Sequence, residues 1–248
     1  MRQIVIISGK GGTGKTTLSA ALAAMGKELT VADCDVDAAN LHLLLQPSDE
    51  SRHPFSTGAK AVIDQQLCTQ CGACMDACRF DAIRYQDDRY TISETSCDGC
   101  RLCMRICPAG AIHMIESNGS YWTTGTFRNG WMVHARLEPG EENSGKLVNV
   151  VREQSRLLSE KKGVDTILID GPPGTGCSAI SALSGADLAL LVTEPSRSGF
   201  HDLKRVKQLA DGFQIPSAVV INKYDLNGKL LDEIEEWCRQ ENIPLIGK

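Results

Sequence analysis

Short apolar runs without polar alternation recur along the chain: Ile4-Val5-Ile6-Ile7, then residues 29–32, 166–170, 188–192 and 218–221. Such runs suit strands buried on both faces, as in a parallel sheet. Residues 18–25, 146–161 and 200–211 instead space their apolar positions as helices do. Strands alternating with helices predict an α/β fold with a mainly parallel sheet and its ligand at the strand C-terminal ends. Between residues 61 and 116 the alternation stops, and only short β-like segments remain at 61–64, 82–85, 90–92 and 111–115. Residues 47–60, rich in Ser, Pro and charge, read as a linker before this stretch, and Ser117-Asn118-Gly119-Ser120 as a turn after it. Asn129-Gly130 predicts a hairpin within 121–136, and Asn143/Ser144 caps the helix that follows. The resulting division is 1–58, 59–117 and 118–248, with the middle segment inserted into a domain formed by the other two.

Composition excludes several classes. The net charge of −5 argues against a general nucleic-acid surface. No apolar run is long enough to span a bilayer, and no signal-peptide pattern is present. Eleven cysteines in 248 residues suit a reducing compartment, and the expected location is cytoplasmic.

Eight of those cysteines form a repeat. Cys68, Cys71, Cys74 and Cys78 recur 29 positions later as Cys97, Cys100, Cys103 and Cys107, each run being C-x2-C-x2-C-x3-C. Ala82-Ile83 is echoed at Ala111-Ile112. Structural zinc more often uses two CxxC knuckles far apart than three cysteines within seven residues. The spacing is that of a bacterial ferredoxin with two [4Fe–4S] clusters, where the fourth cysteine of each run serves the other cluster. On that pattern Cys68, Cys71, Cys74 and Cys107 hold one cluster, and Cys78, Cys97, Cys100 and Cys103 the other. The insert is then an α+β ferredoxin-like domain.

The first apolar run leads into Gly9-Lys10-Gly11-Gly12-Thr13-Gly14-Lys15-Thr16-Thr17 and a helix. Gly9, Gly14, Lys15 and Thr16 satisfy the phosphate-binding loop pattern in its strand–loop–helix context. Backbone N–H groups of such a loop turn toward phosphate, Lys15 reaches the β- and γ-phosphates, and the Thr16 hydroxyl binds Mg²⁺. With its early lysine, Lys10, the loop resembles the deviant Walker A of the MinD/ParA superfamily, which includes the nitrogenase iron protein and Mrp-type carriers. The resemblance implies an ATP-dependent homodimer in which Lys10 reaches the partner's phosphates. It further implies that Asp35 in Asp33-Cys34-Asp35-Val36-Asp37 orients the attacking water, with Asp33 near Mg²⁺. Asp170, before Gly171-Pro172-Pro173-Gly174, resembles the Walker B carboxylate that holds Mg²⁺. Asn222, in Asn222-Lys223-Tyr224-Asp225, resembles a base-reading residue. The chain order as a whole resembles MinD-like ATPases that carry an inserted ferredoxin domain.

Departures and remainders complete the reading. Cys107 is followed by Pro108, as in ferredoxins, whereas Cys78 is followed by Arg79, a cation expected to favour the reduced form of its cluster. Residues 243–248 begin a further strand, relatives continue beyond it, and no amphipathic membrane-targeting tail follows. Adenine binding and the C-terminal edge therefore stay open. Cys34, Cys177 and Cys238 read as small buried hydrophobes; in some relatives cysteines near the second switch bridge a cluster across the dimer, which leaves a lesser reading for Cys177. The five histidines show no metal-ligand spacing. The leading expectation is an ATPase coupling nucleotide-dependent dimer switching to electron transfer through two [4Fe–4S] clusters, toward an unidentified redox or iron–sulfur acceptor protein. The alternative is an ATP-dependent cluster carrier. A cobyrinic acid a,c-diamide synthase-like amidoligase stands further back, because the chain has no room for a glutaminase domain.

Overall fold

The computed structural model describes residues 1–56, 58–116, 119–138 and 144–248. The first apolar run forms β1 (Arg2–Ser8), followed by α1 (Lys15–Met25), β2 (Leu29–Asp33), α2 (Leu41–Leu45) and β3 (Ser48–Pro54). Next come β4 (Ala59–Ile63), α3 (Ala73–Asp76), β5 (Ile83–Gln86), β6 (Arg89–Ile92), α4 (Leu102–Ile106) and β7 (Ile112–Glu116). The chain then forms β8 (Tyr121–Phe127), β9 (Gly130–Arg136), α5 (Ser144–Lys162), β10 (Thr166–Pro173) and α6 (Cys177–Leu183). It ends with β11 (Leu188–Thr193), α7 (Arg197–Gly212), β12 (Ser217–Ile221), α8 (Gly228–Gln240) and β13 (Leu245–Gly247). Two compact units result: Pro54–Tyr121 with Leu137 and Glu138, and Met1–His53 with Trp122–Arg136 and Ser144–Lys248. The Asn143 of the expected cap lies outside the described residues.

The larger unit is an α/β domain on a nine-stranded sheet in the order β13-β12-β11-β1-β10-β2-β9-β8-β3. Every neighbouring pair from β13 to β9 is parallel. All five residues of β2 are buried, as are Val5–Ser8 of β1, as expected of strands covered on both faces. Ile6, Val31, Leu41, Met132 and Leu168 meet in one core cluster. Full burial stabilises each such side chain by about 1.5–3 kcal/mol. The register sets Asp170 beside Asp33, so the C-terminal ends of β10 and β2 present two carboxylates side by side. Helix α1 turns Lys15, Ser19 and Ala23 inward, a line at i, i+4 and i+8. Helix α5 buries Leu147, Val148, Val151, Ser155 and Ser159, and the Ser159 hydroxyl donates to Thr30 Oγ1 of β2 at 2.7 Å.

Two local expectations change. Residues 48–54, expected as linker, form the edge strand β3: Ser51 and Thr124 share a hydroxyl hydrogen bond of 2.7 Å, and the His53 ring stacks on Trp122 at 4.0 Å. A charged sequence is what an edge strand requires, because charge there blocks further strand addition. The β8–β9 hairpin forms, but it turns at Arg128 and Asn129, and Gly130 already belongs to β9. A Cβ at Gly130 would lie 2.0 Å from the Leu29 carbonyl oxygen, so this glycine serves close strand approach.

The smaller unit carries the cysteine repeat. Strands β4 and β7, its first and last, pair antiparallel with Ile63 opposite Ile112. Strands β5 and β6 form a hairpin with Ile83 opposite Ile92 and turn residues Asp87 and Asp88 both at positive φ. The 29-residue repeat extends to the backbone: Gln70 and Gly99, Gly72 and Arg101, and Asp81 and Gly110 are pairwise equivalent and all left-handed. Asp64 N–H donates to Ala111 O (2.7 Å), and its equivalent Ser93 N–H donates to Ala82 O (2.8 Å). Each half thus reaches across to the other, a pseudo-two-fold exchange. Among the described residues no helix is long and apolar enough to cross a membrane.

Candidate nucleotide and cysteine sites

The loop after β1 opens on a cleft of about 520 Å³ lined by Gly11, Gly12, Gly14, Lys15, Thr16, Thr17, Asp35, Asp37, Asn40, Pro172 and Ser178 among others. Its outward carbonyls are tied down: Asn222 Nδ2 donates to Thr13 O at 2.9 Å and Lys223 Nζ to Gly12 O at 2.8 Å. Gly14 is left-handed at φ 95°, and a Cβ there would sit 2.2 Å from Asn222 Nδ2. With those carbonyls turned away, the loop's N–H groups and the N-terminus of α1 are left for an anion. Asn222 is therefore a brace of the loop. Gly9 packs against α7, where a Cβ would approach Asp202 Cβ to 2.3 Å.

Beneath the loop lies a buried group of charges. Burial lowers the Lys15 ammonium pKa, and Asp35 and Asp170 counter it. Burial pushes the Asp170 carboxyl up to about 6, opposed by the Ser19 hydrogen bond, the neighbouring Thr16 hydroxyl and the Lys15 charge. Ser19 Oγ donates to Asp170 Oδ1 at 2.7 Å, while Asp170 Oδ2 is buried with no hydrogen-bond partner among the described residues. A buried, unpaired carboxylate oxygen beside a threonine hydroxyl fits an oxygen-seeking Mg²⁺ and its waters. Asp33 is held well above the usual carboxylate range, first by burial, then by Asp170 and Asp35. It accepts from the N–H groups of Asp35 (3.3 Å) and Leu41 (3.2 Å), which shape the segment after β2. Burial also raises Asp35, while Lys15 pulls it back. Asp35 lines the cleft together with Lys15.

Lys10 is placed where the sequence gives no hint. Its ammonium lies 2.6 Å from Glu194 Oε1 and donates to Ser196 Oγ (3.2 Å) and Ser198 Oγ (3.0 Å). Glu194 Oε2 meets Lys223 Nζ at 2.8 Å. The hydrogen bonds from Lys10 and Lys223 draw the Glu194 carboxyl down to about 2. Glu194 follows the last residue of β11, the strand beside β1. A carboxylate at that strand end was the available signal for it. Ser19, Asp37, Asn40 and Ser178 were missed for a different reason: they join the cleft only through folding.

In the smaller unit, Cys74 and Cys97 are buried, Cys71 and Cys100 exposed, and the other four half-buried. Cys68 and Cys107 lie near enough to Cys74 to raise its pKa, behind the dominant effect of burial. Cys103 is raised by burial and then by Cys97, Cys100 and Cys74. Cys78, Cys97, Cys100 and Cys103 all line one cavity of about 250 Å³, together with Arg79, Phe80, Ile83, Arg101 and Leu102. Among the described residues no three His, Cys, Asp or Glu side chains converge to hold a single metal ion. A cubane cluster spreads its thiolates around a larger body, so a cysteine-walled cavity is the arrangement it would need. Outside these sites, Cys34 and Cys238 are buried, as expected, but Cys177 is exposed at the start of α6.

The model of the CobQ/CobB/MinD/ParA nucleotide binding domain matches residues 4–248. An uncharacterized protein of Methanocaldococcus jannaschii is 35% identical over 228 residues, covering 91% of this chain and 79% of that protein. Hydrogenase-4 component A of Escherichia coli is 28% identical over 162 residues, covering 59% of this chain and 74% of that protein. The solved structure of the septum site-determining protein MinD from Pyrococcus horikoshii, complexed with Mg-ADP, shares the fold. Its TM-score is 0.53 at 24% identity, covering 98% of this chain and 79% of that one.

Proposed function

This chain belongs to the CobQ/CobB/MinD/ParA family of nucleotide-binding domains, and from that premise we propose that it is an ATPase coupling a nucleotide-dependent dimer to electron transfer through two [4Fe–4S] clusters. The loop N–H groups and Lys15 hold the phosphates of ATP, and Thr16 and Asp170 hold Mg²⁺, with Asp33 behind them. Asp35 orients the attacking water, and Asn222 braces the loop and offers its amide oxygen to adenine. Lys10 serves the phosphates of a second copy. The Mg-ADP of the P. horikoshii relative is consistent with this assignment.

The observation that carries the redox half is the cavity. Cys97, Cys100 and Cys103 come from the second cysteine run and Cys78 from the first, and the four face one apolar space. The pseudo-two-fold backbone supports an equivalent set of Cys68, Cys71, Cys74 and Cys107 in an inserted ferredoxin-like unit. When bound, the clusters would supply one-electron carriers at low potential. Burial, which raises the Cys74 and Cys103 thiols, makes their loading release protons. The likeness to a hydrogenase component is in keeping with electron handling.

The test is anaerobic purification, iron and sulfide analysis, and EPR titration with and without ATP, followed by incubation with an apo-ferredoxin. Two retained clusters with a nucleotide-shifted potential support the reading. Ready loss of iron to the acceptor favours the carrier, and zinc in place of iron overturns both.

A further inference from the structure

Lys10 and Lys223 converge on one carboxylate. Glu194 is 11% exposed in its side chain and Lys10 29%, so the pair is partly withdrawn from solvent and less screened than a surface ion pair. Two serine hydroxyls complete the ammonium's three donor directions: Ser196 at 3.2 Å and Ser198 at 3.0 Å. Ser196 is itself fixed, because its Oγ caps α7 by accepting from Gly199 N–H at 3.0 Å. Lys223, on the other Glu194 oxygen, also grips the Gly12 carbonyl at 2.8 Å. The receiver for Lys10 is therefore part of the frame that shapes the phosphate loop.

We propose that Glu194 is a positioning residue that stores Lys10 within its own subunit and yields it only when the triphosphate of a second copy of this chain competes for it. This inference rests on the proposed role of Lys10 in a nucleotide-bound dimer. The competition has a clear sign. One carboxylate and two hydroxyls hold Lys10 at rest, and a partner triphosphate carries more negative charge than that single carboxylate. A diphosphate lacks the terminal group and competes less well. Glu194 thereby sets a threshold below which copies stay apart. Release of Lys10 leaves Glu194 to Lys223 and the Ser196 hydroxyl, so pairing would be felt at the Asn222–Lys223 brace of the loop.

The experiment measures self-association by light scattering across a protein dilution series, with ADP or a non-hydrolysable ATP analogue. It compares the wild-type chain, Glu194→Gln, Ser198→Ala and Lys10→Ala. Glu194→Gln keeps the shape and removes the charge. It is expected to lower the half-association concentration with the ATP analogue by about threefold or more, the scale of one ion pair. Ser198→Ala should shift it the same way by less, and Lys10→Ala should abolish association. A role in folding alone would not favour the dimer. An ATP-analogue dimer in the wild type with no shift in Glu194→Gln and Ser198→Ala overturns the storage role and leaves the role of Lys10 standing. Monomers throughout, Glu194→Gln included, overturn both. Should Glu194→Gln fail to fold, Ser198→Ala decides alone.

Discussion

At the scale of the residue, the nucleotide site depends on charges that burial makes costly and neighbours make tolerable. Lys15 is 4% exposed; burial lowers its ammonium pKa, and Asp35 and Asp170 oppose that. Lys15→Met would leave those carboxylates without their cation and the phosphates without theirs. ATP hydrolysis should fall on the order of a hundredfold, read as phosphate release, with Mg-ATP affinity reduced by titration calorimetry. Glu194 gives a prediction in pH. Its carboxyl is drawn from 4.5 to about 2, so its pairing with Lys10 and Lys223 is complete above about 4.5 and disappears as pH falls toward 2. Urea unfolding of wild type and Glu194→Gln should differ at pH 6 and converge near pH 2; an equal gap at both would refute the pairing. Lys10 and Lys15 were legible as loop residues from spacing alone. Glu194 could be seen as a carboxylate at a strand end but not as the partner of Lys10, because nothing in the local sequence joins position 194 to position 10.

At the scale of the element, the two cysteine loops share a backbone but not a charge. Arg79 corresponds in the repeat to Pro108, and Arg101 to Gly72. Both arginines line the cavity of Cys78, Cys97, Cys100 and Cys103, and Arg79 lies over the Phe80 ring at 4.7 Å. Asp98 lines it as well, so the cations outnumber the acid. On the proposed function, Arg79→Pro and Arg101→Gly, which import the residues of the other half, should each lower the reduced fraction of the proposed cluster of Cys78, Cys97, Cys100 and Cys103 by up to about tenfold at fixed solution potential. That corresponds to about 59 mV for a one-electron couple, measured by EPR-monitored titration, and the other cluster should move less. The repeat and its left-handed positions could be foreseen where Gly72, Gly99 and Gly110 stand. Left-handed Gln70, Asp81 and Arg101 could not, since only the closed loop imposes that conformation on residues that resist it.

At the scale of the whole molecule, two units of unequal means share one chain. The larger has a broad apolar sheet and helices on it. The smaller relies on a few apolar residues, Ala61, Ile63, Ala82, Ile83 and Ile112, packed among its cysteines. So small a core needs a staple. If the proposed clusters are that staple, stripping iron with a chelator under anaerobic conditions should remove one calorimetric transition, while the transition of the larger unit persists and still rises with Mg-ADP. Loss of both together would contradict this division. The strand–helix alternation, the phosphate loop and the cysteine repeat are legible in the sequence, because each rests on residues close in the chain whose spacing is its own geometry. That residues 48–54 are an edge strand, that Asn222 braces the loop and that Lys10 is held by Glu194 emerges only on folding. Those outcomes depend on which segments folding brings together, and in a parallel sheet neighbouring strands can come from distant parts of the chain.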